Sequence, residues 1–213
     1  MESAVKIIQI LFYITGSVVA VLTFLKAKNG LLNTVNTEYQ KKVLERLHQI
    51  SEDIWEEFDF SSDKHWSKEK DLDEVIDRIH TEARKFKHEI ITGKHQLHGV
   101  PMPQKQRELM AFTEKLKSDP FVPQEIRSKL LKILDKRSDA LFHSYYRVLK
   151  EYQQGLCEGK YWETLDENKY WINNQIVEFM CNEGAGVQDN ESAAHEMRLE
   201  IQKYYEKFNP IKN

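Results

Sequence analysis

An uncharged run of nineteen residues, Ile7 to Leu25 (IIQILFYITGSVVAVLTFL), constrains this chain more than anything else in it. Lys6 precedes the run, and Lys26 and Lys28 follow it. As a helix the run rises about 28 Å, close to the ~30 Å hydrocarbon core of a bilayer. Buried soluble helices are seldom apolar all round for so long, and the rest of the chain is polar, with 31% charged residues overall. A cleaved signal peptide is the competing reading. The run exceeds the usual apolar region of about 7–15 residues, and no small-x-small cleavage site precedes the lysines. The expectation is a retained membrane span with its flanks over residues 1–29.

The basic flanks orient it. One lysine precedes the span, whereas Lys26, Lys28, Lys41, Lys42 and Arg46 follow it. The positive-inside bias therefore places residues 30–213 in the cytoplasm, with the N-terminus outside the inner membrane. Within the span, Gln9, Tyr13, Gly16, Ala20, Thr23 and Ala27 recur every three or four residues and share one face. Gly16-x-x-x-Ala20 has the form that lets helices approach closely in lipid, and Gln9 is costly against lipid tails. The stripe predicts self-association, with Gln9, Tyr13, Gly16, Ala20 and Thr23 packing helices or lining a pore. A monomeric anchor tolerates the same stripe.

Beyond Gly30 the pattern is helical throughout, and the fold class expected is all-α, a span continuing into an antiparallel bundle. Val35, Tyr39, Val43, Leu47, Ile50, Ile54 and Phe58 mark a first helix with helical spacing. Further helices are expected over 68–92, 104–117, 123–154, 161–181 and 191–208, punctuated by Gly93, Pro103, Pro123, Gly159 and the glycines of 184–186. The fifth is unusually aromatic. Its Trp162, Tyr170 and Trp171 suit a core or subunit contact, while Glu163, Asp166 and Glu167 beside them argue against base stacking.

The motif inventory is mostly negative. No phosphate-binding glycine loop, G-x-S-x-G or H-E-x-x-H is present. Basic residues number 31 against 34 acidic, which leaves no global electrostatic footprint for nucleic acid and argues against direct RNA binding. Cys157 and Cys181 are too few for a disulfide framework. His88, His95 and His98 lie close in sequence, but no cysteine is near and no acidic residue accompanies the loop pair, so no metal or cofactor is expected.

One constellation carries chemistry: Arg137-Ser-Asp-Ala-Leu-Phe-His143. This R-x5-H spacing is similar to the signature of HEPN-type helical domains, in whose active members the Arg holds a scissile phosphate and the His moves a proton. About one such spacing arises by chance in a chain with this many arginines and histidines. On a straight helix the two side chains point about 120° apart. The alternative is an arginine in a solvated ion pair with Asp135 or Asp139, and a surface histidine.

The combination of one N-terminal span, a small all-helical domain and a lone R-x5-H resembles the membrane accessory proteins encoded beside type VI-B CRISPR RNA-guided RNA-cleaving effectors. That resemblance implies a homo-oligomeric ring whose N-terminal helices line a pore, enhancing antiviral defence by depolarising the membrane. It also implies that Arg137 and His143 are structural or interfacial, and Ser138 after the arginine fits a degenerate site. The alternatives are a membrane-tethered HEPN ribonuclease acting as a dimer and a non-catalytic anchored scaffold.

Overall fold

The structure is a computed structural model and describes residues 2–68 and 70–207, with side chains at Lys6 and from Phe12 onward. It is all-helical among the described residues, one long apolar N-terminal helix followed by a helical bundle. Seven α-helices follow one another: α1 (Glu2–Trp55), α2 (Asp71–Lys85), α3 (Lys87–Ile91), α4 (Gln104–Lys117), α5 (Gln124–Cys157), α6 (Asn168–Asn182) and α7 (Val187–Glu206). A 3-10 turn, Trp66–Lys68, lies between α1 and α2. The chain divides into two compact units, up to Arg46 and from Leu47.

In the first unit, every side chain from Phe12 to Tyr39 is exposed. Phe12, Val18, Leu22 and Phe24 would each leave a large apolar surface in water, an arrangement that the hydrophobic effect opposes. This helix is long and apolar enough to cross a membrane. Asn29-Gly30 does not interrupt it, because glycine lowers helix propensity by only about 1 kcal/mol relative to alanine, a cost small beside the backbone bonds of a 54-residue helix.

In the second unit the core is organised around α5, which packs against α3, α4, α6 and α7. The seven residues that its periodicity assigns inward, Ile126, Leu130, Leu134, Leu141, Tyr145, Val148 and Tyr152, are all buried. Leu47 and Ile50 of α1, Ile76 and Ile79 of α2, Leu116 of α4, Ile172 of α6 and Ile201 of α7 complete it. Pro103 and Pro123 stand immediately before α4 and α5, where a fixed φ suits helix entry and no amide is lost to the ladder.

The first helix ends at Trp55, short of Phe58, and the one expected over 123–154 runs on to Cys157; three further boundaries differ for a visible reason. The helix expected over 68–92 is broken at Phe86, whose φ of −120° and ψ of 27° leave the helix; its ring stacks on His95 at 4.2 Å. The fifth helix begins at Asn168 rather than Tyr161, because Tyr161 sits at φ 67° and cannot be helical. The last begins at Val187, earlier than expected, since the Asp189 carboxylate accepts the Gly186 N–H at 3.0 Å and closes the first turn.

The Tyr161 conformation is held by a close approach. A Cβ placed on Gly155 would lie 2.2 Å from Tyr161 Cε2, so only glycine lets that ring lie against α5. Trp171 stacks on the other aromatic partner of this corner, Tyr161, at 5.5 Å. Beneath it, Tyr152 is fully buried. Its hydroxyl lies 2.8 Å from His80 Nε2 and accepts from Asn168 Nδ2 at 3.1 Å. Asn168 Nδ2 also donates to the Tyr161 carbonyl, and its Oδ1 accepts from Thr164. This network joins α2, α5 and α6 at their shared centre.

Candidate functional site

The span face comes first. Tyr13, Gly16, Ala20 and Thr23 are all exposed, and a Cβ on Gly16 would meet nothing within 4 Å. Thr23 Oγ1 donates to Val19 O at 2.8 Å within its own helix, which leaves its lone pairs facing outward. Thr34 and Thr37 bond one turn back in the same way. The Gln9 side chain lies outside the described residues.

The Arg137/His143 constellation is resolved by burial. Arg137 is turned inward, where its Nη2 donates to Glu57 Oε1. Lys105 Nζ lies 2.8 Å from Glu57 Oε2. The three side chains are 15%, 11% and 18% exposed, so this is an interior ion cluster rather than a solvated pair. His143 is exposed, beside Phe142. The structure therefore brings Arg137 to Glu57 and Lys105 and does not bring it to His143. Neither Asp135 nor Asp139 is its partner. Glu57 is 80 residues away in sequence, in the turn that follows α1, and no local spacing points to it.

Electrostatics in the cluster follow from two cations on one carboxylate. Burial alone would push the Glu57 carboxyl up, but Arg137 and Lys105 win and hold it below its ordinary range. Lys105 retains spare N–H donors, and Arg137 Nε is buried with no partner. Two clefts, of about 390 and 190 Å³, are both lined by Glu57, Lys105 and Arg137. The larger has apolar walls from Leu109, Phe112, Leu130 and Met197. Its lining also carries Asp53, Glu56, Glu108 and Lys64.

The histidine pair has a partner that spacing alone did not show. Glu82 of α2 accepts from His95 Nε2 at 2.8 Å and from His98 Nδ1 at 2.6 Å, both on Oε1. The His98 backbone N–H adds a 3.3 Å contact, and the His98 carbonyl accepts Gln153 Nε2 at 2.8 Å. Each ring thus commits one nitrogen to the same carboxylate, which, with the Gln153 bond, pins the 93–103 loop to α2 and α5. Burial raises the Glu82 carboxyl, but the bonds from His95 and His98 outweigh it and lower it. Its stabilising effect is therefore present above the ordinary carboxylate range and fades as pH falls through the lowered value. Glu82→Ala is expected to cost about 2–3 kcal/mol and to speed amide exchange across 93–98; unchanged exchange there would show that the loop is held by something else.

The aromatic residues divide. Trp162 donates Nε1 to Leu156 O at 2.9 Å, with Lys87 Nζ 5.1 Å above its ring. Trp171 is stacked as described, and Tyr170 is 79% exposed. Two of the three therefore belong to the bundle itself. Set beside family models, curated proteins and solved structures, the chain matches none of them.

Proposed function

We propose that this protein is a single-pass inner-membrane effector with its helical bundle in the cytoplasm. It self-associates through the Tyr13–Gly16–Ala20–Thr23 face into a ring and permeabilises or depolarises the membrane. The activity serves antiviral defence beside an RNA-guided ribonuclease, a reading supported by the resemblance of its span, helical domain and lone R-x5-H to the accessory proteins of RNA-targeting CRISPR systems. The observation that carries the reading is the unbroken exposure of apolar side chains from Phe12 onward. Nothing in the chain's own first unit covers them, and a bilayer does so at no cost in unsatisfied backbone, since a helix bonds internally. The small residues of the stripe then supply close helix contact where lipid supplies no hydrophobic drive.

The test is the mass of the detergent-solubilised chain, followed by ion flux from protein-loaded vesicles. The expected result is a discrete oligomer and flux that Gly16→Ile with Ala20→Ile abolishes, the mass falling toward one chain. A monomer in both detergent and bilayer overturns the proposal. A tethered ribonuclease would instead require RNA cleavage lost in both Arg137→Ala and His143→Ala. The inward turn of Arg137 to Glu57 and the outward position of His143 speak against a shared site within one chain.

A further inference from the structure

A notch of about 360 Å³ opens between α4 and α5, among residues that neither the ion cluster nor the span uses. Its walls follow the helical period. Gln106, Met110 and Thr113 come from α4, and Asp135, Asp139 and Phe142 from α5. Gln106 and Thr113 are each only 5% exposed, yet Gln106 Oε1 and Thr113 Oγ1 have no hydrogen-bond partner. Buried side-chain oxygens are matched in the large majority of native positions, so two orphans lining one notch call for a donor from outside the chain.

The charges agree with the orphans. Arg137, the neighbour that α5 would offer to Asp135 and Asp139, is committed to Glu57. Lys136 Nζ is bonded to Gly184 O at 2.8 Å, and Lys117, which shares the notch wall, is paired with Glu114 at 2.5 Å and also attracts Asp135. Asp135 and Asp139 are exposed carboxylates with neither a hydrogen bond nor an ion pair among the described residues. Met110 and Phe142 add exposed apolar surface, the Phe142 ring backed by Tyr146 at 5.8 Å. The notch thus presents acceptors, negative charge and an aromatic face together.

We propose that this notch is a binding site for an alkylguanidinium ion. A guanidinium carries five donors in a planar fork that suits two carboxylates and a buried amide oxygen at once. Its face packs on an aromatic ring, and its alkyl stem lies along Met110. An ammonium offers a compact, strongly hydrated charge and no plane to stack, so it is the poorer ligand. The site belongs to the bundle and stands independently of the pore reading.

The experiment is isothermal titration of the full chain in detergent with butylguanidinium, against butylammonium and sodium at matched ionic strength. Saturable binding at one site per chain is expected, with a dissociation constant of about 0.1–1 mM. Asp135→Asn with Asp139→Asn, both exposed and so harmless to the fold, is expected to weaken it at least about tenfold. Thr113→Val is expected to weaken binding while leaving the melting temperature level or higher, a combination that a merely structural threonine would not give. Absence of saturation, equal responses to the three cations, or affinity unchanged in the aspartate variant overturns the proposal.

Discussion

Glu57→Ala is expected to destabilise the bundle by about 3–5 kcal/mol, because it leaves two buried cations facing each other without their carboxylate. For a domain of this size that corresponds to a fall of roughly 10 °C in melting temperature. The loss should exceed that of Lys105→Met, since Lys105 is the more exposed of the two cations and can turn toward water. The pH dependence has a definite sign. Arg137 and Lys105 overcome the burial penalty and lower the Glu57 carboxyl, so its contribution is complete above the ordinary carboxylate range. It is lost as pH falls through the lowered value. Wild type should therefore lose stability on acidification more steeply than Glu57→Gln, followed by circular dichroism melts from neutral to acid pH. Parallel curves would show that Glu57 is not the partner that neutralises the cluster.

Tyr152→Ala is the second large effect, about 3–5 kcal/mol from the cavity left by a fully buried aromatic ring. The polar part can be separated from the packing part. Tyr152→Phe keeps the ring but strips the hydroxyl that lies 2.8 Å from His80 Nε2 and accepts from Asn168. Asn168 keeps the Tyr161 carbonyl as an acceptor, so His80 is the group left unmatched, and a cost of about 1–3 kcal/mol is expected. Burial already holds the His80 imidazole below its ordinary value, with Arg84 acting in the same direction. A neutral imidazole is thus the native form, and protonation at low pH opposes the fold. Chemical denaturation of the two variants reads both terms; a Phe variant as costly as Ala would mean that the hydrogen bonds, not the packing, hold the three helices.

Much of the fold was legible because the signals that carry it are local. The uncharged run Ile7–Leu25, the inward residues of α5 and the prolines before α4 and α5 are each read within a few turns of chain. Helical periodicity reports which face is buried and needs no knowledge of what buries it. The breaks at Phe86 and Tyr161 were not legible, because both residues leave helical dihedrals where the ring meets a partner several residues along the chain, His95 in one case and Gly155 with Trp171 in the other. Propensity cannot register a contact that exists only after folding.

The candidate sites divide in the same way. The small-residue stripe Tyr13–Gly16–Ala20–Thr23 is a property of one helix, so the sequence alone determined it. The R-x5-H spacing was also visible, but its meaning was not, since six positions along a helix say nothing about which way the chain around it faces. Tertiary structure turned Arg137 to Glu57, 80 residues earlier, and left His143 exposed. It also brought Glu82 between His95 and His98 and left Gln106 and Thr113 buried with unmatched oxygens. Charge pairing and hydrogen-bond satisfaction are set by proximity in space, and only the packed bundle creates that proximity.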